Sequence, residues 1–295
     1  MKSYLRFLSR NKLYTAIEVV GLSVALAFVL IIGSYVWQEY SISRENPDYE
    51  RIYIPTQSMP YGIFEPMKEQ IPEIEKITLV NSFDDVVMEC DDERLVTRGL
   101  AVRGDFFDIF DYEFLIGDAG CLESYTDIVI SESYAAKLAG KPELAVGMKI
   151  VPVDYPSQAY TVTGIIKDFD HNYWKYMDFI CKGESPLNDS AQKNPIFTLS
   201  ATTFIKVAES ADVDALGGKI QEIFRQLWGE KLNAAMIDQF TIDIGIERFD
   251  KLYFSGEMID SYLNMGDRSQ IIILLIVSLL LLVSAVINYI NLNLA

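Results

Sequence analysis

A single histidine, His171, stands in a chain that also holds only three cysteines, Cys90, Cys121 and Cys181. One histidine leaves little room for a Ser-His-Asp triad, and no G-x-S-x-G elbow is present. His171 has only Asp168 and Asp170 beside it, and the cysteine spacings fit no zinc pattern, so no metal site is expected. Three thiols cannot all pair within one chain; one disulfide with a free thiol and three buried thiols are both open. A G-x-x-x-x-G-K-[ST] phosphate loop is also missing. Gly217-Gly218-Lys219 lacks the earlier glycine and reads as helix surface. The acids Asp84, Asp85, Asp91, Asp92 and Glu93 cluster in turn-like sequence and are expected to be solvated rather than a catalytic pair. No catalytic residue and no cofactor are expected, and the chain is read as a non-enzyme.

Bases are scarce where acids are plentiful. The 295 residues carry 25 Lys and Arg against 42 Asp and Glu. Setting aside Lys2, Arg6, Arg10, Lys12 and Glu18 leaves 21 basic and 41 acidic side chains after position 18, a balance of −20. Nucleic acid and anionic lipid surfaces need basic patches, so neither is an expected ligand of this part. Solubility is the favoured reading of the acidic surface, and attraction of a cationic partner the minor one.

Two stretches lack charge altogether. Val19 to Gln38 and Ser269 to Ala295 are uncharged runs of 20 and 27 residues. About 20 apolar residues in a helix cross a hydrocarbon core of about 30 Å. Lys2, Arg6, Arg10 and Lys12 precede the first run, which places the N-terminus in the cytoplasm and exports the 230 residues of 39–268. Glu18 is read as interfacial, with a polar contact to a neighbouring helix as the alternative. The first run is longer than a signal-peptide core of about 7–15 residues and ends in Tyr35, Trp37 and Tyr40, an interfacial aromatic belt, so it is read as an uncleaved anchor.

Between the runs the patterns predict an α+β domain. Asn46-Pro47-Asp48 signals a turn before a strand at Arg51 to Ile54, a helix over Gly62 to Gln70 and a strand over Ile74 to Val80. Short strands are expected over Val86 to Cys90, Arg94 to Val102, Asp127 to Ile130 and Tyr160 to Lys167. A helix over Glu132 to Ala139 should start at Ser131 and stop at Gly140. Phe106, Phe107, Ile109 and Phe110 are read as core rather than as a ligand patch. A strand over Phe197 to Val207 precedes a helix capped by Asp212. That helix carries an apolar stripe at Val213, Leu216, Ile220, Ile223, Phe224, Leu227 and Trp228, and a strand over Phe240 to Phe249 answers it. Residues 250–268 are expected to form an interfacial helix or hairpin. The layout is two strand–helix–strand units with an inserted mixed subdomain, between two transmembrane α-helices. Its boundaries are a cytoplasmic segment 1–13, a first span 14–40, a domain 41–268 and a second span 269–295. Within the domain the outer part covers about 48–80 and 196–250, and the insert about 81–195.

Six segments in order carry a resemblance: RNKLYTAIEVVGLSVALAFVLIIGSYV (10–36), DYERIY (48–53), GDFFDIFDYEFLIGD (104–118), DIVISESYAAKLAG (127–140), YTVTGIIKDF (160–169) and the closing IIILLIVSLLLLVSAVINYINLNLA (271–295). Together they resemble the MacB/FtsX-type permeases of ABC transporters, in the version common in Bacteroidetes-type bacteria. The resemblance implies a cell inner membrane protein with residues 41–268 in the periplasm. It also implies a separate cytoplasmic ABC ATPase, a homodimer or a pseudo-dimer with a second permease half, and a periplasmic partner, with membrane lipid around the helices and no nucleic acid. Its function would be to pass ATP-driven motion to the periplasmic domain, for export or mechanotransmission. Such permeases continue into further helices, so an N-terminal part of a longer permease is expected. Tyr35, Trp37, Tyr40, Met258, Tyr262 and Arg268 are the expected couplers at the two junctions, with plain interfacial anchoring as the equal alternative. A membrane-tethered sensor, with a ligand-binding domain between two helices, fits the same topology.

Overall fold

The structure, a computed structural model, describes residues 12–44, 46–91, 93–168, 174–183, 200–234, 244–255 and 262–294. The side chains of a few of these, including Lys12 and Glu18, lie outside what is described. The chain forms two compact units, 1–42 with 266–295 and 43–265.

The first unit contains two long helices, α1 (Lys12–Ser41) and, at the far end of the chain, a helix over Arg268–Leu294. Their apolar spans Val19–Ser41 and Arg268–Ile290 are each 23 residues long. Only 6% and 11% of these spans is buried, which distinguishes them from core helices of a soluble domain. The two helices touch, and Ala25, Ile271 and Ser278 are buried on them. Asp267 caps the second helix by accepting from Ser269 N at 2.8 Å and Gln270 N at 3.2 Å.

The second unit is a mixed sheet with helices. In chain order its strands are β1 (Ile52–Pro55), β2 (Met59–Pro60), β3 (Ile74–Cys90), β4 (Glu93–Gly104), β5 (Phe114–Ile116), β6 (Asp127–Ser131), β7 (Lys149–Pro152), β8 (Tyr160–Ile166), β9 (Phe179–Lys182), β10 (Ser200–Val207) and β11 (Ile246–Arg248). They line up as β11-β1-β10-β3-β4-β9-β6-β8-β5, with β2 on β10 and β7 against β3 and β8. Pairing is antiparallel except at β4–β9 and β6–β8.

The spine is the β3–β4 ribbon. Sequence patterning predicts a break after Val80, yet the strand continues to Cys90, because the extra residues are absorbed in a bulge. Asp84 and Asp85 stand opposite Arg98 alone, and Asp85 takes φ 54°, a left-handed conformation that Asp tolerates. Just past the bulge Gly99 lies under Phe179: a Cβ there would sit 2.3 Å from the ring. Phe179 stacks on Phe83 with centroids 6.2 Å apart.

Two hydrophobic clusters are strung along this ribbon. One gathers α2 (Phe64–Gln70), the near half of β3, β10 and a long helix (Val213–Ala234). That helix buries Leu216, Ile220, Ile223 and Trp228, the expected stripe, and Ala215 N reaches Asp212 Oδ1 at 3.4 Å. Gly217 is not mere helix surface: a Cβ there would meet the Ile244 carbonyl at 2.4 Å, so the close approach requires glycine. Lys219 pairs with Glu73. The second cluster joins the far ends of β3 and β4 to β6, β7, β8, β9 and the helix Glu132–Ala139. Ser131 caps that helix by accepting from Tyr134 N at 3.2 Å, and Gly140 ends it at φ 72°.

One expectation is corrected, and another falls partly outside the described residues. The strand over Phe240 to Phe249 is seen only as Ile246–Arg248; 240–243 lie outside the described residues, and Phe249 turns into a short helix (Phe249–Leu252) to bury its ring. Of residues 250–268, where an interfacial helix or hairpin is expected, 250–252 complete the short helix begun at Phe249, 256–261 lie outside the described residues, and Leu263 bridges to Trp174.

Candidate coupling junction

The segments that join the domain to the helices are polar or irregular, so their hold on the domain must come from specific partners. The incoming one follows α1. Asn46 is 4% exposed, far from the usual fate of an amide side chain. Its Nδ2 donates to the Ile109 carbonyl at 2.7 Å, and its Oδ1 accepts from Asp48 N at 2.9 Å. Asp48 accepts from Arg51 at 2.7 Å and from Lys206 on β10, while Arg51 also reaches Glu75 at 3.0 Å. The hydrogen bonds from Lys206 and Arg51 hold the Asp48 carboxyl below its ordinary range.

The outgoing segment is Tyr262 to Asn264. Lys175 N donates to the Tyr262 carbonyl at 2.8 Å, and Asn264 Nδ2 donates to the Trp174 carbonyl at 3.0 Å. The Tyr262 ring is fully buried and stacks on Trp174, centroids 5.4 Å apart and 18° from parallel.

The incoming segment directly, and the outgoing one through Trp174, meet the same feature, a turn after β4. Asp105 opens it: its Oδ2 accepts from Ile77 N at 3.2 Å and from Lys68 at 3.3 Å, and its own N–H donates to the Ile77 carbonyl at 3.0 Å. The helical turn α3 (Phe106–Ile109) follows. Phe110 sits edge-on to Trp174 at 5.0 Å and to Phe204 at 5.1 Å, and Phe249 closes the cluster at 6.0 Å. Phe106 stacks on Tyr112 at 5.7 Å, and Phe107 meets Phe114 of β5 at 5.0 Å. Phe106, Ile109 and Phe110 are therefore core, as their sequence suggests.

The profile of the MacB-like periplasmic core domain matches residues 15–223. The chain belongs to that family. Its fold is similar to that of a domain of a permease protein from Porphyromonas gingivalis, at 22% identity and TM-score 0.53, over 62% of this chain and 86% of that one. The periplasmic region of MacB from Actinobacillus actinomycetemcomitans gives 11% identity and TM-score 0.45, over 68% of this chain and 90% of that one. The extracellular domain of the noncanonic ABC-type transporter YknZ from Gram-positive bacteria gives 12% and 0.42, over 60% and 95%. No curated protein matches the chain. A MacB-like core domain with two candidate membrane helices makes this a membrane protein with an extracytoplasmic segment of the ABC transporter permease family.

Of the expected couplers, Tyr262 is the one found in the junction. Tyr35, Trp37 and Tyr40 lie in the last turns of α1, with Trp37 78% and Tyr40 51% exposed, and Arg268 opens the last helix exposed. Met258, Lys2, Arg6, Arg10 and His171 lie outside the described residues, and Lys12 begins α1. Among the described residues no group of acids, cysteines and histidine could hold a metal ion. Cys90, Cys121 and Cys181 are all free thiols, and Cys90 and Cys181 are buried. Sequence reading missed Asn46, Trp174, Phe204 and Phe249; only the Asn-Pro pair at Asn46 offered a signal, and it pointed to a turn.

Proposed function

We propose that this chain is the non-catalytic permease subunit, or the N-terminal part of one, of a MacB/FtsX-type ABC transporter. The reading rests on one observation: the family match begins inside the first apolar helix and ends inside the helix Val213–Ala234, residues 15–223. In this reading the N-terminus is cytoplasmic and the domain is periplasmic, held in the inner membrane. A separate cytoplasmic ATPase drives a dimer or pseudo-dimer of the permease. The membrane helices carry that motion to the periplasmic domain, for export or for force delivered to a periplasmic partner. The domain's two close-packed cores suit it to move as a body rather than deform continuously.

The test is purification of the product of this gene from native membranes in mild detergent. Recovery of a nucleotide-binding subunit whose ATP turnover depends on this chain is the expected result. A complex containing a kinase or response regulator and no ATPase would replace the permease with a sensor.

A further inference from the structure

We propose that the turn Asp105–Phe110 is the coupling hub of the domain, with Asn46 and Trp174 as positioning residues that fasten the incoming and outgoing segments onto it. The inference rests on the permease reading for its purpose, but its geometry stands apart from that reading.

The argument starts from sequence distance. Asn46 follows the end of α1 by five positions, and Asn264 precedes the last helix by four. Any displacement of either helix reaches the domain through these two short segments. They are far apart in sequence, yet one bonds the turn directly and the other is held on Trp174, whose ring lies against the same turn. Asn46 grips the carbonyl of Ile109, inside the turn. Trp174, whose backbone holds Tyr262 to Asn264, lays its ring against Phe110 at 5.0 Å and Phe106 at 5.9 Å.

From the turn the load divides. Asp105 is tied to Ile77 and Lys68, which belong to the β3 and α2 side of the sheet. Phe107 is packed on Phe114 of β5, an edge strand of the sheet. The turn thus bonds the incoming linker directly, meets the outgoing one through Trp174, and touches both the interior strand β3 and the edge strand β5. A turn whose only task was to close β4 would need none of the four attachments. The buried amide of Asn46 is the most specific of them, because a buried polar side chain is retained only when its partners are satisfied.

The experiment uses the full chain in nanodiscs and hydrogen exchange of named amides. In the chain alone, Asn46→Ala is expected to speed exchange at the Lys175 amide, which bonds Tyr262 across the junction, about tenfold, the effect of one buried hydrogen bond. Amides of the helix Val213–Ala234 should not change, which separates a local release from general loss of stability. Trp174→Phe, which keeps an aromatic face against Phe110, should leave Lys175 protected, and Trp174→Leu should not. Unchanged protection at Lys175 in both Asn46→Ala and Trp174→Leu would overturn the hub, whether or not an ATPase is found. In the complex with its ATPase, wild type should show ATP-dependent exchange differences over 104–116. In Asn46→Ala these should fall by at least half while ATP turnover persists. Retention of the full difference in that variant would also overturn the proposal. Failure to recover any ATPase would sink the permease reading alone, and the Lys175 result would still decide the hub.

Discussion

Gly99→Ala isolates one packing relation at the point where β4 pairs with β9. The backbone at Gly99 is not left-handed, so alanine brings no conformational strain. Two effects then oppose one another. Alanine narrows the unfolded ensemble and stabilises by about 0.4–1 kcal/mol. Against this, the new methyl would lie 2.3 Å from Cε2 and Cζ of Phe179, whose ring is 1% exposed and stacked on Phe83, so it has nowhere to retreat. Overpacking of this kind costs about 1–3 kcal/mol, so a net loss of about 1–2 kcal/mol is expected.

The ring is the stated cause, and removing it provides the check. Phe179→Val deletes every atom that the methyl would strike, at a cost of about 2–3 kcal/mol, below that of full truncation to alanine. In that background Gly99→Ala should become neutral or slightly stabilising. The two changes should therefore couple by about 1–2 kcal/mol. Urea unfolding in detergent reports the four corners of the cycle. Trp174 and Trp228 serve as buried probes of the two ends of the domain, and Trp37→Phe removes the exposed signal. Additivity to within about 0.5 kcal/mol would show that the ring does not limit position 99.

Ser131→Ala should cost about 1 kcal/mol in the same assay, because Tyr134 N loses its cap; a change under about 0.3 kcal/mol would contradict this. In native protein, Cys121 should react first with a maleimide, since it is half-buried. Cys181, its thiol pushed up to about 12 by burial, should react only on unfolding, and faster labelling of Cys181 than of Cys121 would contradict the packing. Asp48→Asn should lower stability at pH 7 by on the order of 1 kcal/mol. The folded Asp48 carboxyl sits below its unfolded value of about 3.9, so its contribution is full above that pH and lost as pH falls through the depressed value. Variant and wild type should therefore converge as pH falls through the depressed value, and a gap that persists in acid would assign the effect to something other than the charge.

What was legible in the sequence was local. Ser131 and Gly140 mark a helix because caps act within one turn, and the stripe from Val213 to Trp228 marks another because its period is that of a helix. The bulge at Asp84 and Asp85 was misread as a break, since two acids beside each other carry the composition of a turn whether the chain reverses or continues. The junction was illegible for a different reason. Asn46 meets a carbonyl 63 positions away, and Asn264 meets one 90 positions away. Neither a propensity nor a period reports a partner at that distance. Tyr262 was singled out only because it lies near a span, and its burial under Trp174 reverses the environment that an interfacial anchor would have.

Charge and packing share the junction unequally. Asp48, Arg51 and Lys206 form its ion pairs, with side chains 30%, 26% and 14% exposed. Ion pairs near the surface contribute about 0–1 kcal/mol each, and water still reaches two of the three groups. Each well-placed aromatic pair adds about 0.5–1.5 kcal/mol beyond its buried area, and Trp174 makes such pairs with Phe106, Phe110, Phe204 and Tyr262. Three of these pairs seat Trp174 in the domain, and the fourth packs the outgoing segment on it through the Tyr262 ring. The incoming side depends instead on the single amide of Asn46, whose bond is worth most because leaving the Ile109 carbonyl unpaired in the interior would cost about 1–3 kcal/mol. One linker is thus fixed by packing, which resists displacement in every direction. The other is fixed by a directional bond, which fails abruptly once its geometry is lost.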